Sequence, residues 1–312
     1  MTCAYISHPA CRLHDMGGGH PESPQRLAAI EAALRAEGCW DRLSHLEAPR
    51  APRAALLRVH AEAHVAALEA HAPEHGLIEL DPDTAMNPHS LEAAHRAAGA
   101  GLLAVDRIMA GEIATAFCAV RPPGHHATRN RAMGFCLFNN LAVAVAHGLA
   151  AHGLSRVAIV DFDVHHGNGT EAIFSQEPRV LLCSSFQHPH YPYCGADTVS
   201  DHIIPLPLPH GTAGPQYRAA FAARLLPALE AFQPEFVFCS AGFDGHRDDP
   251  LAGFNLVEAD YAWITEQVMA LANRHAHGRV VSFLEGGYNL HALGRSAAAH
   301  IRVLAGFNTP AA

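Results

Sequence analysis

The chain has 312 residues, 49% of them hydrophobic and 16% charged, a balance that fills a large core and excludes a disordered chain. Its formal net charge of -9 argues against a general grip on nucleic-acid phosphates, and no apolar run approaches the roughly 18 residues of a membrane span. The opening stretch MTCAYISHPACRLHD lacks a basic segment followed by an apolar one, so no signal peptide is expected and the protein is read as cytoplasmic.

In chain order, residues 4–7 predict a first short strand, followed by a glycine-rich loop over 14–20 that lacks both phosphate-binding glycine patterns and is read as a surface loop at the rim of a site. Ser23 is the expected cap and Pro24 the first position of a helix over 25–37, which carries Arg26 on its first turn. Alanine-rich segments over 54–71 and 88–110 have helical spacing. Between them, Asp81-Pro82-Asp83 reads as an acidic turn, either solvated or touching a substrate backbone. Residues 114–120 predict a strand running into Arg121-Pro122-Pro123-Gly124-His125-His126, where two prolines and a glycine fix the backbone. Gly134, Phe135 and Cys136, with the segment 138–148, supply an apolar wall and the next helix.

The stretch RVAIVDFDVHHGNGT (156–170) is central. Residues 157–160 read as a strand buried on both faces, and polarity arrives at its end in Asp161, Asp163, His165 and His166, with a turn around Asn168. Side chains two apart in extended chain point the same way, so Asp163 and His165 can present a carboxylate and an imidazole to one point. Further strands are expected over 180–186, 236–243 and 279–284, with helices over 214–232, 256–274 and to about residue 304. Strands alternating with helices imply right-handed crossovers and a largely parallel sheet, with the whole chain, 1–312, as one domain. Cys118, Cys183 and Cys239 lie inside predicted strands and read as buried, reduced thiols; the eight cysteines form no CxxC pair.

In such a sheet the carboxyl ends of the strands share one edge. His125 and His126, then Asp161, Asp163 and His165, then Asp244, then Tyr288 therefore converge. Asp163, His165 and Asp244 offer two oxygens and one nitrogen and leave positions open, as in a catalytic zinc site. Zinc is favoured, and Fe(II) or another first-row ion would also be accepted.

RPPGHHA, DFDVHHGNGT, SAGFD and LEGGYNL, in this order and spacing, resemble the histone deacetylase family, in particular its class II branch and bacterial relatives. The likeness runs from about His14 to the last helix. It implies the single-domain α/β arginase-deacetylase fold, an eight-stranded, mainly parallel sheet between helices, and zinc-dependent hydrolysis of an N-acetyl amide. Carried over by motif, it implies zinc ligands at Asp163, His165 and Asp244, and paired histidines at His125 and His126, the second as general base. Asp161 falls behind the first histidine, and with Ser184 it resembles the side-chain ligands of a structural potassium ion. Tyr288 resembles the donor to the substrate carbonyl, Phe135 and Tyr191 the tunnel walls, and Arg26 the arginine near the acetate exit. Asn168 stands where class I members carry aspartate, which predicts a less basic His126 than theirs.

The implied substrate is an acetylated lysine of a protein or peptide. An acetylated polyamine is the rival, since the scaffold also serves acetylpolyamine deacetylases. The eukaryotic polyamine enzyme has a glutamate seven residues after the last zinc aspartate, where this chain has Leu251, and that favours lysine. A silent binding module is disfavoured by the intact ligand set and Tyr288. A dinuclear arginase-like site is disfavoured because DFDVHHG lacks the DxHxD pattern. Oligomeric state is not legible.

Overall fold

Eight strands make one sheet in the computed structural model, which describes residues 2–307; Met1 and residues 308–312, included in the one-domain expectation, lie outside the described residues. The strands are β1 (Cys3–Ser7), β2 (Ser44–Glu47), β5 (Thr115–Cys118), β6 (Val157–Asp161), β7 (Val180–Gln187), β8 (Ile203–Leu208), β9 (Phe236–Ala241) and β10 (Val280–Leu284). Their order is β2-β1-β5-β10-β9-β6-β7-β8, and every neighbouring pair is parallel. A separate antiparallel hairpin joins β3 (Ile78–Asp81) to β4 (Thr84–Met86) around the acidic turn.

Strands β5, β6, β7, β9 and β10 are buried along their whole length, as continuous apolar runs covered on both faces must be. Helices supply the cover: α1 (Gln25–Ala36), α4 (Ser90–Met109), α5 (Asn140–Ala151), α7 (Gly214–Phe232), α8 (Glu258–His275) and α9 (Leu290–Leu304). Alternation along β10 identifies the two layers. Ser282 Oγ lies 2.8 Å from His300 of α9, whereas the next residue, Phe283, packs under Gly101 of α4, where a Cβ would come within 2.5 Å of its ring. Helices α8 and α1 pack on α9, and α5 packs on α4.

Several expectations need correction. The helix over 54–71 is two, α2 (Arg53–Leu56) and α3 (Glu62–His71), because His60 turns inward: its ring takes the Asn139 N–H at 2.9 Å and reaches the Thr128 carbonyl. Ser23 makes no side-chain cap, and the helix enters from Pro24 already in helical conformation. The glycine-rich loop is exposed only in part, at Asp15, Gly18 and Gly19, while His14, Met16 and Glu22 around them are buried. Asn168 begins a short helix, α6 (Asn168–Phe174), where a turn was expected. Strands β2 and β8 were not foreseen individually. Among the described residues no helix is long and apolar enough to cross a membrane.

Candidate active site

At the carboxyl edge, β6 ends at Asp161 and its continuation folds Asp163 and His165 toward Asp244, which follows β9. His165 Nδ1 lies 3.0 Å from Asp163 Oδ1 and 3.1 Å from Asp244 Oδ2, and the three donor atoms sit within 4.8 Å of one another in a buried cluster. Backbone amides fix the outer carboxylate oxygens, Gly286 N donating to Asp163 Oδ2 at 2.8 Å and Val164 N to Asp244 Oδ1 at 3.0 Å. The electrostatics favour a cation. Burial opposes charge on His165, yet its two carboxylate partners outweigh that and push the imidazole up to about 10. Burial and the neighbouring Asp163 charge push Asp244 up to about 6. Two carboxylates and one imidazole converging on one point are a donor set that fits a dication, which would take the place of the imidazole's proton.

His125 and His126 follow β5 beside this cluster, their rings 4.0 Å apart. His125 donates from Nδ1 to Asp161 Oδ2 at 3.0 Å, since a carboxylate can only accept. Burial lowers its basicity, but Asp161, Asp163 and Glu285 outweigh that and push His125 up to about 10. His126 is held by Asn168 Oδ1 at 2.7 Å from Nδ1, which leaves Nε2 free. Burial, with the charges of His125 and His165, holds His126 well below its ordinary value. One imidazole is thus kept charged and its neighbour neutral.

A pocket of about 180 Å³ leads to these groups, lined by Asp83, Gly134, Phe135, His190, Tyr191, Leu251 and Tyr288 around His126 and His165. Tyr191 meets His126 edge-on at 5.1 Å, and Phe135 meets Tyr288 edge-on at 5.8 Å. Gly134, at φ 56°, packs so close to His126 that a Cβ would stand 2.5 Å from its ring. Burial pushes the Tyr288 phenol well above its ordinary value, so it stays a protonated donor. Arg26 does not line this pocket. It is buried behind it, its guanidinium 5.0 Å from the Tyr288 ring, donating to the carbonyls of Gly287 at 2.7 Å and Glu285 at 2.5 Å. Ser184 pairs across the strands with Asp161, and its hydroxyl lies 3.1 Å from His166 Nδ1.

Four residues of the site were not assigned from sequence. Glu285 accepts from the N–H groups of Gly124 at 2.7 Å and His125 at 3.1 Å, fixing the histidine pair. Asp249 accepts from Tyr288 N at 2.6 Å, Asn289 N at 3.1 Å and Leu251 N at 3.1 Å, fixing the tyrosine and the pocket mouth. His190 stacks on His165 at 5.0 Å and reaches the Leu251 carbonyl at 3.1 Å. Glu22 binds Arg26 and Arg121, all three fully buried. Glu285 lies in a motif already quoted, but the amides it fixes are far away in sequence, as Arg121 is from Glu22 and Tyr288 from Asp249.

Residues 20–304 match the model of a family described as Histone deacetylase domain. A "Histone deacetylase-like amidohydrolase" of Pseudomonas aeruginosa is 38% identical over 278 residues, 87% of this chain and 73% of that protein. A "Probable deacetylase" of Archaeoglobus fulgidus is 35% identical over 320 residues, 100% of this chain and 88% of that protein. In three dimensions, the crystal structure of the HDA15 HD domain aligns with a TM-score of 0.91 at 37% identity, covering 98% of this chain and 90% of that one.

Proposed function

The chain belongs to the histone deacetylase family and is a metal-dependent amide hydrolase, and from that premise we propose that it is a single zinc-dependent catalytic domain removing acetyl groups from lysine side chains of proteins or peptides. Asp163, His165 and Asp244 would hold the zinc, with Fe(II) as the other ion this donor set accepts. When bound, the ion supplies Lewis acidity toward the amide carbonyl and acidifies the attacking water. A potassium ion would belong behind it, at Asp161 and Ser184.

The other steps are carried by the chain's own residues. His126, neutral and with Nε2 free, takes the proton of the water and returns it to the leaving amine nitrogen. Asn168 holds its ring by the 2.7 Å contact. His125, kept protonated by Asp161, lends positive charge next to the developing oxyanion, to which the Tyr288 hydroxyl donates a hydrogen bond. Phe135 and Tyr191 exclude water from the acyl-lysine stem, Gly134 lets the wall close on His126, and Arg26 holds the backbone on either side of Gly286, so that Tyr288 is carried on a fixed turn.

The observation that carries the lysine reading is the apolar Leu251 at the pocket mouth, where a distal ammonium would want a carboxylate. One observation favours the polyamine alternative: Asp83, from the hairpin, also borders the pocket. Its Oδ1 already accepts from Gly134 N at 3.1 Å and from Thr84 Oγ1 at 2.7 Å, and the remaining oxygen suits a peptide N–H as well as an ammonium. The test offers the zinc-loaded enzyme an acetyl-lysine peptide and an N-acetylated polyamine together, with Tyr288→Phe and Asp83→Asn alongside. Preferred peptide turnover, lost in Tyr288→Phe, supports the proposal. Preferred polyamine turnover that collapses in Asp83→Asn overturns the substrate and keeps the chemistry.

A further inference from the structure

A second set of donors gathers away from the catalytic edge. Asp106 lies in the last turn of α4, His147 in the last turns of α5, and His152 caps α5. These helices end shortly before β5 and β6 begin, so the cluster sits at the amino edge of the sheet, opposite the active site. His147 Nε2 and His152 Nε2 stand 2.6 and 2.7 Å from one atom, Asp106 Oδ1, with the two rings nearly perpendicular. All three donors fall within 4.8 Å of one another. The imidazoles are largely covered, at 15% and 24% side-chain exposure, while Asp106 is 52% exposed, which gives an ion a route in from solvent.

We propose that Asp106, His147 and His152 form a surface site for a divalent first-row transition ion, Zn2+ foremost, that ties the end of α4 to the end of α5. The N2O donor set is one that zinc accepts, with remaining positions open to water. Two helix carboxyl termini point their negative ends at the same place, adding attraction for a cation. Burial raises the Asp106 carboxyl, but the hydrogen bonds from His152 and His147 outweigh it and keep it below its ordinary value; the oxygen is a charged ligand at neutral pH.

The tautomers separate this site from a carboxylate that merely accepts two hydrogen bonds. Without metal, each imidazole donates Nε2–H to Asp106, and the free Nδ1 of His147 is available to accept from Arg58 Nη1 at 3.4 Å. An ion on Nε2 moves that proton to Nδ1, where it faces the guanidinium N–H. Arg58 is exposed and must swing aside, so it opposes binding.

The test is a Zn2+ titration of the whole protein, already holding one equivalent of zinc, in competition with a chromophoric chelator. Wild type takes up a second equivalent. His152→Ala and Asp106→Asn weaken it by at least the roughly 10–100-fold that changes around a metal ligand cost, Arg58→Ala tightens it, and deacetylase activity is unchanged in all three. Because Asp106→Asn keeps shape and an acceptor oxygen, its loss of binding does not reduce to misfolding. Wild-type binding that stops at one equivalent, or a second equivalent held equally by His152→Ala, overturns the site; an Arg58→Ala variant that binds no tighter overturns its assigned geometry.

Discussion

Glu22→Ala is expected to remove a large part of the stability of this fold, although Glu22 does not itself line the catalytic pocket. The carboxylate accepts from Arg26 Nη1 at 3.0 Å and from Arg121 Nη2 at 2.6 Å and Nε at 2.5 Å, and His14 Nε2 stands 3.4 Å away, all at 0% side-chain exposure. Deleting one partner of a buried ion pair costs about 3–5 kcal/mol, because the other charge is left uncompensated; here two guanidiniums are left. Both keep carbonyl partners, Arg26 at Gly287 and Glu285, Arg121 at Cys11 and His14, which caps the loss. A deficit of about 4 kcal/mol follows, against a total of roughly 5–15 for a folded domain. Urea unfolding at neutral pH would read it as a lower midpoint with an unchanged slope. The pH dependence has a definite sign. Burial raises the Glu22 carboxyl, but Arg121, His14 and Arg26 outweigh it and hold it well below its ordinary value near 4.5. Its stabilisation is therefore complete above that value and fades as pH falls through the folded one, so the gap between variant and wild type narrows in acid. A deficit under about 1 kcal/mol at neutral pH, within the range of surface changes, would refute the reasoning.

Asn168→Asp puts a carboxylate 2.7 Å from His126 Nδ1 and raises its pKa by about 1–3 units; since a protonated His126 accepts no proton, the acid limb of the pH–rate profile moves up, and an unmoved limb would remove His126 from the role of base. Gly286→Ala sets a Cβ 1.9 Å from Asp244 Oδ2 and 2.6 Å from Asp163 Oδ2, so elemental analysis should find the catalytic metal lost from a protein whose circular dichroism is intact. Chelation to a metal-free state abolishes turnover and Zn2+ restores it, whereas full activity without metal would exclude these ligands. Tyr288→Phe lowers kcat by roughly 10²–10³ with KM little changed, the signature of a donor used in the transition state.

The inner strands were legible because a strand covered on both faces has no choice but an apolar run. The two that escaped, β2 and β8, are the two edges of the sheet. SHLE alternates between part-buried and exposed, too short and polar to separate from a loop, and Pro205 and Pro207 in IIPLPL argue against any central strand while suiting an edge, where a missing N–H costs nothing. The break at His60 was invisible for another reason. The alanine-rich spacing continues through it, and what ends the helix is a set of bonds to the loop after the paired histidines, including Ala61 N to the Arg129 carbonyl at 2.8 Å.

The site divides along the same line. Asp163, His165 and Asp244 announce themselves because ionisable groups directly after buried strands have no bland use there. Their supports do not, because Glu285, Asp249 and Glu22 act on backbone amides and guanidiniums brought near only by the sheet. Glu285 shows why. It directly follows β10, and β10 pairs with β5 from Val280↔Thr115 to Phe283↔Cys118, so the residues that follow the two strands leave the sheet side by side. A carboxylate there reaches the amides of Gly124 and His125 across the shortest gap the topology offers, and the spacing of the two imidazoles is thereby set by the neighbouring strand. The position of the base depends on strand order, which no local motif encodes.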